Sequence, residues 1–223
     1  MRYRSRLVAP VLLAAGLLVS GCLPAAPSPG RAAPVRRVLV VGDSITWGFF
    51  GVTPGVNDTL AAKLRRNGIG LTTLGFPGDS IAAPWPGRPR WAELLPPAID
   101  SVDPDVVVIQ SLLFPGWADP AVQGAYLANA RELITIARSR GAHVYLVRHQ
   151  RGAGAQAAET ATAEALQAQA AAGLGVEVIP TNWWLDRCED PYIPDGFHLT
   201  ASGIECYANS INAAVNQLRN QVG

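Results

Sequence analysis

Runs of β-branched and leucine residues alternate along the chain with alanine- and leucine-rich stretches of helical spacing. Residues 36–41, 71–75, 105–110, 143–148 and 176–179 read as five strands, and the third, Asp-Val-Val-Val-Ile-Gln, carries no polar alternation and so reads as buried on both faces. Residues 57–67, 91–101, 120–140, 157–172 and 200–222 read as helices. The first is expected to be capped by Asn57 or Asp58 and stopped by Gly68, the third to start on a proline and end at Gly141, and the last to be capped by Thr200. Pro96-Pro97 is expected to break or restart the second helix, and residues 81–90, rich in proline, read as a loop. The fourth helix is so rich in alanine that its inner face must pack closely. Strands separated by helices of this length pair in parallel through right-handed crossovers, which predicts a single α/β domain built as a three-layer α/β/α sandwich over residues 36–223.

Composition narrows the function classes. Of 223 residues, 49% are hydrophobic and 16% charged, enough for one compact core, and a net charge of +1 supplies no field that would favour nucleic acid. No nucleic-acid partner is therefore expected, and a monomer is. Three histidines without a cysteine motif argue against a metal site, and no cofactor is called for; His143 begins a strand and His149 follows one, neither with metal-ligand company.

The first residues form a targeting segment. Arg2, Arg4 and Arg6 precede an apolar stretch, residues 7–19, and small residues then lead to Cys22. A plain signal peptide or a short anchor helix would also fit the apolar run, but Val19-Ser-Gly-Cys22 resembles the lipobox of bacterial lipoproteins, and residues 1–21 are expected to be a signal peptide of that kind. That resemblance implies lipidation of Cys22, a Pro/Ala-rich linker over residues 22–35, and a protein exported and held by lipid on the extracytoplasmic side of the cell membrane. With Cys22 so assigned, Cys188 and Cys206 remain as a pair for a disulfide in an oxidising compartment, the alternative being two reduced thiols.

Two segments carry candidate chemistry. Residues 38–47 read as a buried strand stopping at Gly42 and turning through Asp43-Ser44 into a helix. Ser44 then stands at the carboxyl end of the first strand, where open α/β sheets bind ligands and where a helix start points free N–H groups outward. A serine there has part of an oxyanion site built in. Far downstream, Asp195 and His198 lie three positions apart, so that the carboxylate can fix the imidazole tautomer and leave the other ring nitrogen to take a proton from the serine.

Gly42-Asp43-Ser44 after the first strand and Asp195-Gly-Phe-His198 near the C-terminus together resemble the SGNH, or GDSL-type, hydrolases. The resemblance covers the chain from about Arg36 to its end. It implies a flavodoxin-like parallel sheet of five strands and chemistry on an acyl ester, with Ser44 as nucleophile, His198 as base, Asp195 as its orienter, and the backbone N–H groups of Ser44 and a second-block glycine holding the oxyanion. Gly78, after the second strand, fits that second role. Gly78-Asp79-Ser80 repeats the tripeptide, but no strand leads directly into Ser80, and Ser44 is preferred. The third block departs from the family: its usual Gly-x-Asn-Asp is replaced by residues 108–114, Val-Ile-Gln-Ser-Leu-Leu-Phe, which contain no asparagine. A missing oxyanion donor costs about 100- to 1,000-fold in rate, so a slow enzyme, a substitute donor such as Gln110 or Ser111, or a different acyl chemistry is expected. A literal Gly55-Val-Asn-Asp58 precedes the second block and reads as a helix cap.

Aromatic residues follow several strand ends, and Trp47 and Trp117 are the candidates for gripping a sugar or an acyl chain. The resulting expectation is a lipid-anchored serine esterase of the cell envelope; an O-acyltransferase with the same residues and a catalytically silent glycan- or lipid-binding lipoprotein are its rivals.

Overall fold

A computed structural model describes residues 34–49, 53–75, 77–110, 118–152 and 157–222. The expected targeting segment, Cys22, Ser111 and Trp117 lie outside the described residues.

In chain order the elements are β1 (Arg37–Gly42), α1 (Ser44–Trp47), β2 (Gly48–Phe49), β3 (Thr53–Pro54), α2 (Val56–Arg66), β4 (Gly70–Gly75), α3 (Trp91–Val102), β5 (Val106–Ile109), α4 (Pro120–Ser139), β6 (His143–Val147), α5 (Ala157–Leu174), β7 (Glu177–Ile179), α6 (Thr181–Leu185) and α7 (Ala201–Val222). Five strands form one parallel sheet in the order β4-β1-β5-β6-β7. Numbered among themselves these strands run 2-1-3-4-5, the flavodoxin-like order, whose switch point falls beside the first strand. The expected three-layer α/β architecture is therefore the one observed.

Period-two alternation splits the strands between two cores. Leu39, Val41, Val107, Ile109, Val144 and Leu146 face α3, α4 and α5, whereas Val38, Val40, Val106, Val108, Tyr145 and Val147 face α2 and α7. The close packing expected of the alanine-rich helix is met by Ala163, Ala170 and Ala171 of α5, all buried in the first core.

Two sequence expectations fail. Pro96-Pro97 lies inside an unbroken α3. An interior proline costs about 3 kcal/mol, while burying Trp91, Leu95 and Ile99, each at most 3% exposed, stabilises by roughly 1.5–3 kcal/mol per side chain; packing of that face offsets the lost backbone bonds. The first long helix is not capped by Asn57 or Asp58: it starts at Val56, its N-cap is Gly55, and no side chain caps it. Gly55 sits there because a Cβ would come within 2.4 Å of the Thr46 carbonyl oxygen, so close approach to α1 outweighs capping.

Three short elements were not anticipated. The strands β2 and β3 form an antiparallel pair of two residues each, and α6 is a single five-residue helix after β7.

Candidate active site

Gly42 ends β1 directly beside Gly75, the last residue of β4. A Cβ on Gly75 would lie 1.6 Å from the Gly42 carbonyl oxygen, and one on Gly42 would lie 1.8 Å from Thr46 Oγ1, so the chain can turn here only with glycine at both positions. Asp43 is the N-cap of α1, its Oδ1 accepting from Ile45 N at 3.0 Å. Ser44 is the first residue of that helix, so its N–H has no intrahelical acceptor.

Gln110, the residue after β5, holds this turn from the neighbouring strand. Its Oε1 accepts from Asp43 N at 3.2 Å and from Thr46 Oγ1 at 2.6 Å, and its Nε2 donates to Asp43 Oδ1 at 3.1 Å. At 1% exposure it is sealed behind the Ser44 turn. The structure gives Gln110 a task other than that of the substitute oxyanion donor suggested by the sequence: it is buried, and its Oε1 and one N–H of its amide hold the turn. Tyr207 of α7 closes the cluster from beneath; burial first, and then the negative charge of Asp43, push its hydroxyl well above the ordinary tyrosine value, and a hydrogen bond with Gln110 opposes this.

Asp195 and His198 arrive on the segment before α7. Asp195 Oδ1 accepts from Phe197 N at 2.8 Å and His198 N at 2.9 Å, and Oδ2 meets His198 Nδ1 at 2.7 Å. One carboxylate thus shapes the turn with one oxygen and grips the imidazole with the other. Burial raises the affinity of Asp195 for a proton, but the bonds from the His198 ring and from the two backbone N–H groups outweigh it, and the net shift is downward, keeping the carboxylate ionised. Gly196, at φ +70°, makes the turn possible. His198 is 8% exposed and its Nε2 lies 3.1 Å from Ser44 Oγ, itself 5% exposed. Residues 154 positions apart in sequence therefore complete a serine–histidine–aspartate relay within hydrogen-bond reach.

The loop that carries Asp195 and His198 has support that the sequence did not reveal. Gln150 Nε2 donates to the Phe197 carbonyl at 3.3 Å, while Gln167 and Asn182 bind the backbone of His149 at its N–H and C=O, at 2.6 and 3.0 Å. His149 Nδ1 lies 2.7 Å from Gln150 O. Burial lowers the His149 imidazole to about 4, against a smaller upward pull from that contact, so this histidine is neutral at pH 7. Buried, hydrogen-bonded glutamines look the same in sequence as surface glutamines, which is why neither Gln150, after β6, nor Gln167, within α5, stood out.

Cys188 and Cys206 form a disulfide with Cα atoms 6.5 Å apart. It closes a loop containing both Asp195 and His198. Gly78 follows β4 at φ +84°, in a loop whose Trp85 ring lies where a Gly78 Cβ would stand, 2.8 Å from Cε3. Ser80 is a turn residue: its hydroxyl donates to Ala83 O and accepts from Ala83 N, both at 3.1 Å. Trp47 is 43% exposed on α1, one turn from Ser44. Among the described residues no group of three histidine, cysteine, aspartate or glutamate side chains is arranged to hold a metal ion.

The sequence profile of the GDSL-like lipase/acylhydrolase family matches residues 40–205. No curated protein matches the chain in sequence. Among solved structures, the psychrotrophic esterase EstA from Pseudoalteromonas sp. aligns with a TM-score of 0.65 at 13% identity, over 83% of this chain and 99% of its own. The Clostridium thermocellum family 3 carbohydrate esterase aligns with a TM-score of 0.59 at 19% identity, over 84% and 99%. A GDSL-like lipase from Bacteroides thetaiotaomicron aligns with a TM-score of 0.60 at 16% identity, over 82% and 89%. At such identities these likenesses speak for the fold alone.

Proposed function

Because the chain belongs to the GDSL-like lipase/acylhydrolase family, and is on that ground a serine hydrolase of ester bonds, we propose that Ser44, His198 and Asp195 are its catalytic residues and that its substrate is an acyl ester of the cell envelope. The observation that carries the assignment is the relay itself, Ser44 Oγ to His198 Nε2 at 3.1 Å and His198 Nδ1 to Asp195 Oδ2 at 2.7 Å.

The chemistry follows from that geometry. His198 Nε2 takes the hydroxyl proton as Ser44 Oγ attacks the ester carbonyl, and Asp195 stabilises the imidazolium that forms. The carbonyl oxygen, now an anion, is held by the backbone N–H of Ser44 and of Gly78. The imidazolium then protonates the leaving alcohol, and water, deprotonated by the same nitrogen, releases the acid from the acyl-enzyme. Gln110 takes no part in these proton transfers; it holds the turn on which Ser44 is presented.

The envelope assignment rests on the N-terminal pattern, three arginines, an apolar stretch and Val19-Ser-Gly-Cys22, which supports export and lipid anchoring at Cys22. Trp47, half-exposed beside the nucleophile, supports a sugar ring or acyl chain as the substrate's recognised part. Replacement of the third block's asparagine keeps a second reading in place, in which a glycan hydroxyl rather than water accepts the acyl group.

A fluorophosphonate probe tests the nucleophile; the Pseudoalteromonas esterase EstA is itself inhibited by monoethylphosphonate. Labelling is expected in the native protein and lost in Ser44→Ala; labelling that persists in Ser44→Ala overturns the assignment. Product analysis with an added alcohol separates hydrolysis from transfer, and Cys22→Ser is expected to release the protein from the membrane fraction.

A further inference from the structure

The peptide that carries the Gly78 N–H is gripped by a cation. Arg88 Nη1 donates at 3.1 Å to the Pro77 carbonyl oxygen and at 3.1 Å to Asp79 Oδ1, so its two acceptors bracket Gly78 along the chain. Asp79 is 1% exposed, and its Oδ1 also accepts from Trp85 N at 3.0 Å. Its Oδ2 is buried with no hydrogen-bond partner among the described residues. A further backbone bond, Arg88 N to Trp85 O at 2.9 Å, keeps Arg88 close to the turn that seats the Trp85 ring against Gly78.

Pro77 C=O and Gly78 N–H belong to one planar peptide unit and, the bond being trans, point in opposite directions. Fixing the carbonyl against a guanidinium therefore fixes the direction of the N–H. A positive charge on the oxygen also draws electron density from the nitrogen and makes the N–H a stronger donor. We propose that Arg88 is a positioning residue for ester hydrolysis, orienting and polarising the Gly78 N–H that receives the oxyanion. This rests on the reading of Gly78 as a donor given above. Asp79 holds the guanidinium in place and joins the loop's two ends, and its charge explains why an arginine rather than a neutral donor occupies the position.

The effect must appear in the transition state, because the charge on the ester oxygen develops only there. Arg88→Met is expected to lower kcat by about 10- to 100-fold with KM within about twofold, less than loss of a whole donor. Removing Arg88 alone strands a buried carboxylate, so the Asp79→Asn, Arg88→Met double variant is measured beside it; it retains an acceptor for Trp85 N and is expected to show the same loss of kcat at a melting temperature closer to native. Asp79→Asn alone leaves Arg88 on Pro77 and is expected to keep most of kcat. Equal kcat in the native and double-variant proteins overturns the proposal. An amide-to-ester replacement at Gly78, which deletes only the N–H, separates the two claims. If it leaves kcat unchanged, the donor reading fails and the proposal with it; if it lowers kcat while the Arg88 variants do not, the proposal alone fails. In that background Arg88→Met should cost no further activity, and losses that multiply in full would place the action of Arg88 elsewhere.

Discussion

Gln110 and Asp43 are hydrogen-bonded twice: the glutamine carbonyl accepts the Asp43 backbone N–H while its amide donates to the Asp43 carboxylate, at 3.2 and 3.1 Å. Where the third block of the resembled family usually carries an asparagine, this chain uses a longer carboxamide to hold the Ser44 turn from the next strand. Gln110→Leu leaves Asp43 N and the Thr46 hydroxyl without their acceptor in a buried site, which costs about 1–3 kcal/mol for each group left unsatisfied. Chemical denaturation should therefore show a loss of stability together with the loss of turnover, whereas removal of a simple oxyanion donor would reduce turnover alone.

Asp195 divides its work between two oxygens, and one substitution separates the tasks. Asp195→Asn keeps an oxygen for Phe197 N and His198 N but turns an NH2 group toward His198 Nδ1, favouring the wrong tautomer. By analogy with triads elsewhere kcat should fall by about 10,000-fold, with a circular dichroism spectrum and melting temperature close to native. A native-like kcat would remove Asp195 from the relay.

Acid should weaken this fold through His149. The imidazole is lowered from 6.5 to about 4 by burial, so between those values the unfolded chain binds a proton that the folded chain refuses. Its contribution is fully present above pH 6.5 and is lost as pH falls toward 4, amounting to about 3 kcal/mol. Unfolding free energies measured across that range in native and His149→Leu proteins should show a shallower slope in the variant.

Closing the loop between Cys188 and Cys206, 18 positions apart, stabilises by about 3 kcal/mol through restriction of the unfolded chain. Mass spectrometry without reductant should find the two joined. Reductant should lower the melting temperature, and because the loop contains Asp195 and His198, it should also reduce turnover in protein that remains folded.

Much of this architecture was legible in the residues. Val106 to Ile109 can only be a strand buried on both faces, and the Asp195-x-x-His198 spacing does bring carboxylate and imidazole together. What escaped were features decided by neighbours distant in sequence. Pro96-Pro97 breaks a helix in isolation, yet the buried row Trp91, Leu95, Ile99 carries it through. Asn57 and Asp58 have capping side chains, but the space against Thr46 admits only Gly55 at the cap. Gln110 offers the same groups to a substrate or to a backbone turn, and only the position of Asp43 decides between them.

The two halves of the relay rest on separate supports. Gly42, Asp43 and Gln110 hold Ser44 from the sheet, while Asp195 and His198 belong to a stapled loop that Gln150 contacts from outside it, and the halves meet where Ser44 Oγ faces His198 Nε2. Each half can therefore survive damage to the other. On the proposed assignment, a single exchange at position 44 or 198 would yield a folded relative that keeps the rest of the site and loses the chemistry, a short evolutionary step from enzyme to receptor.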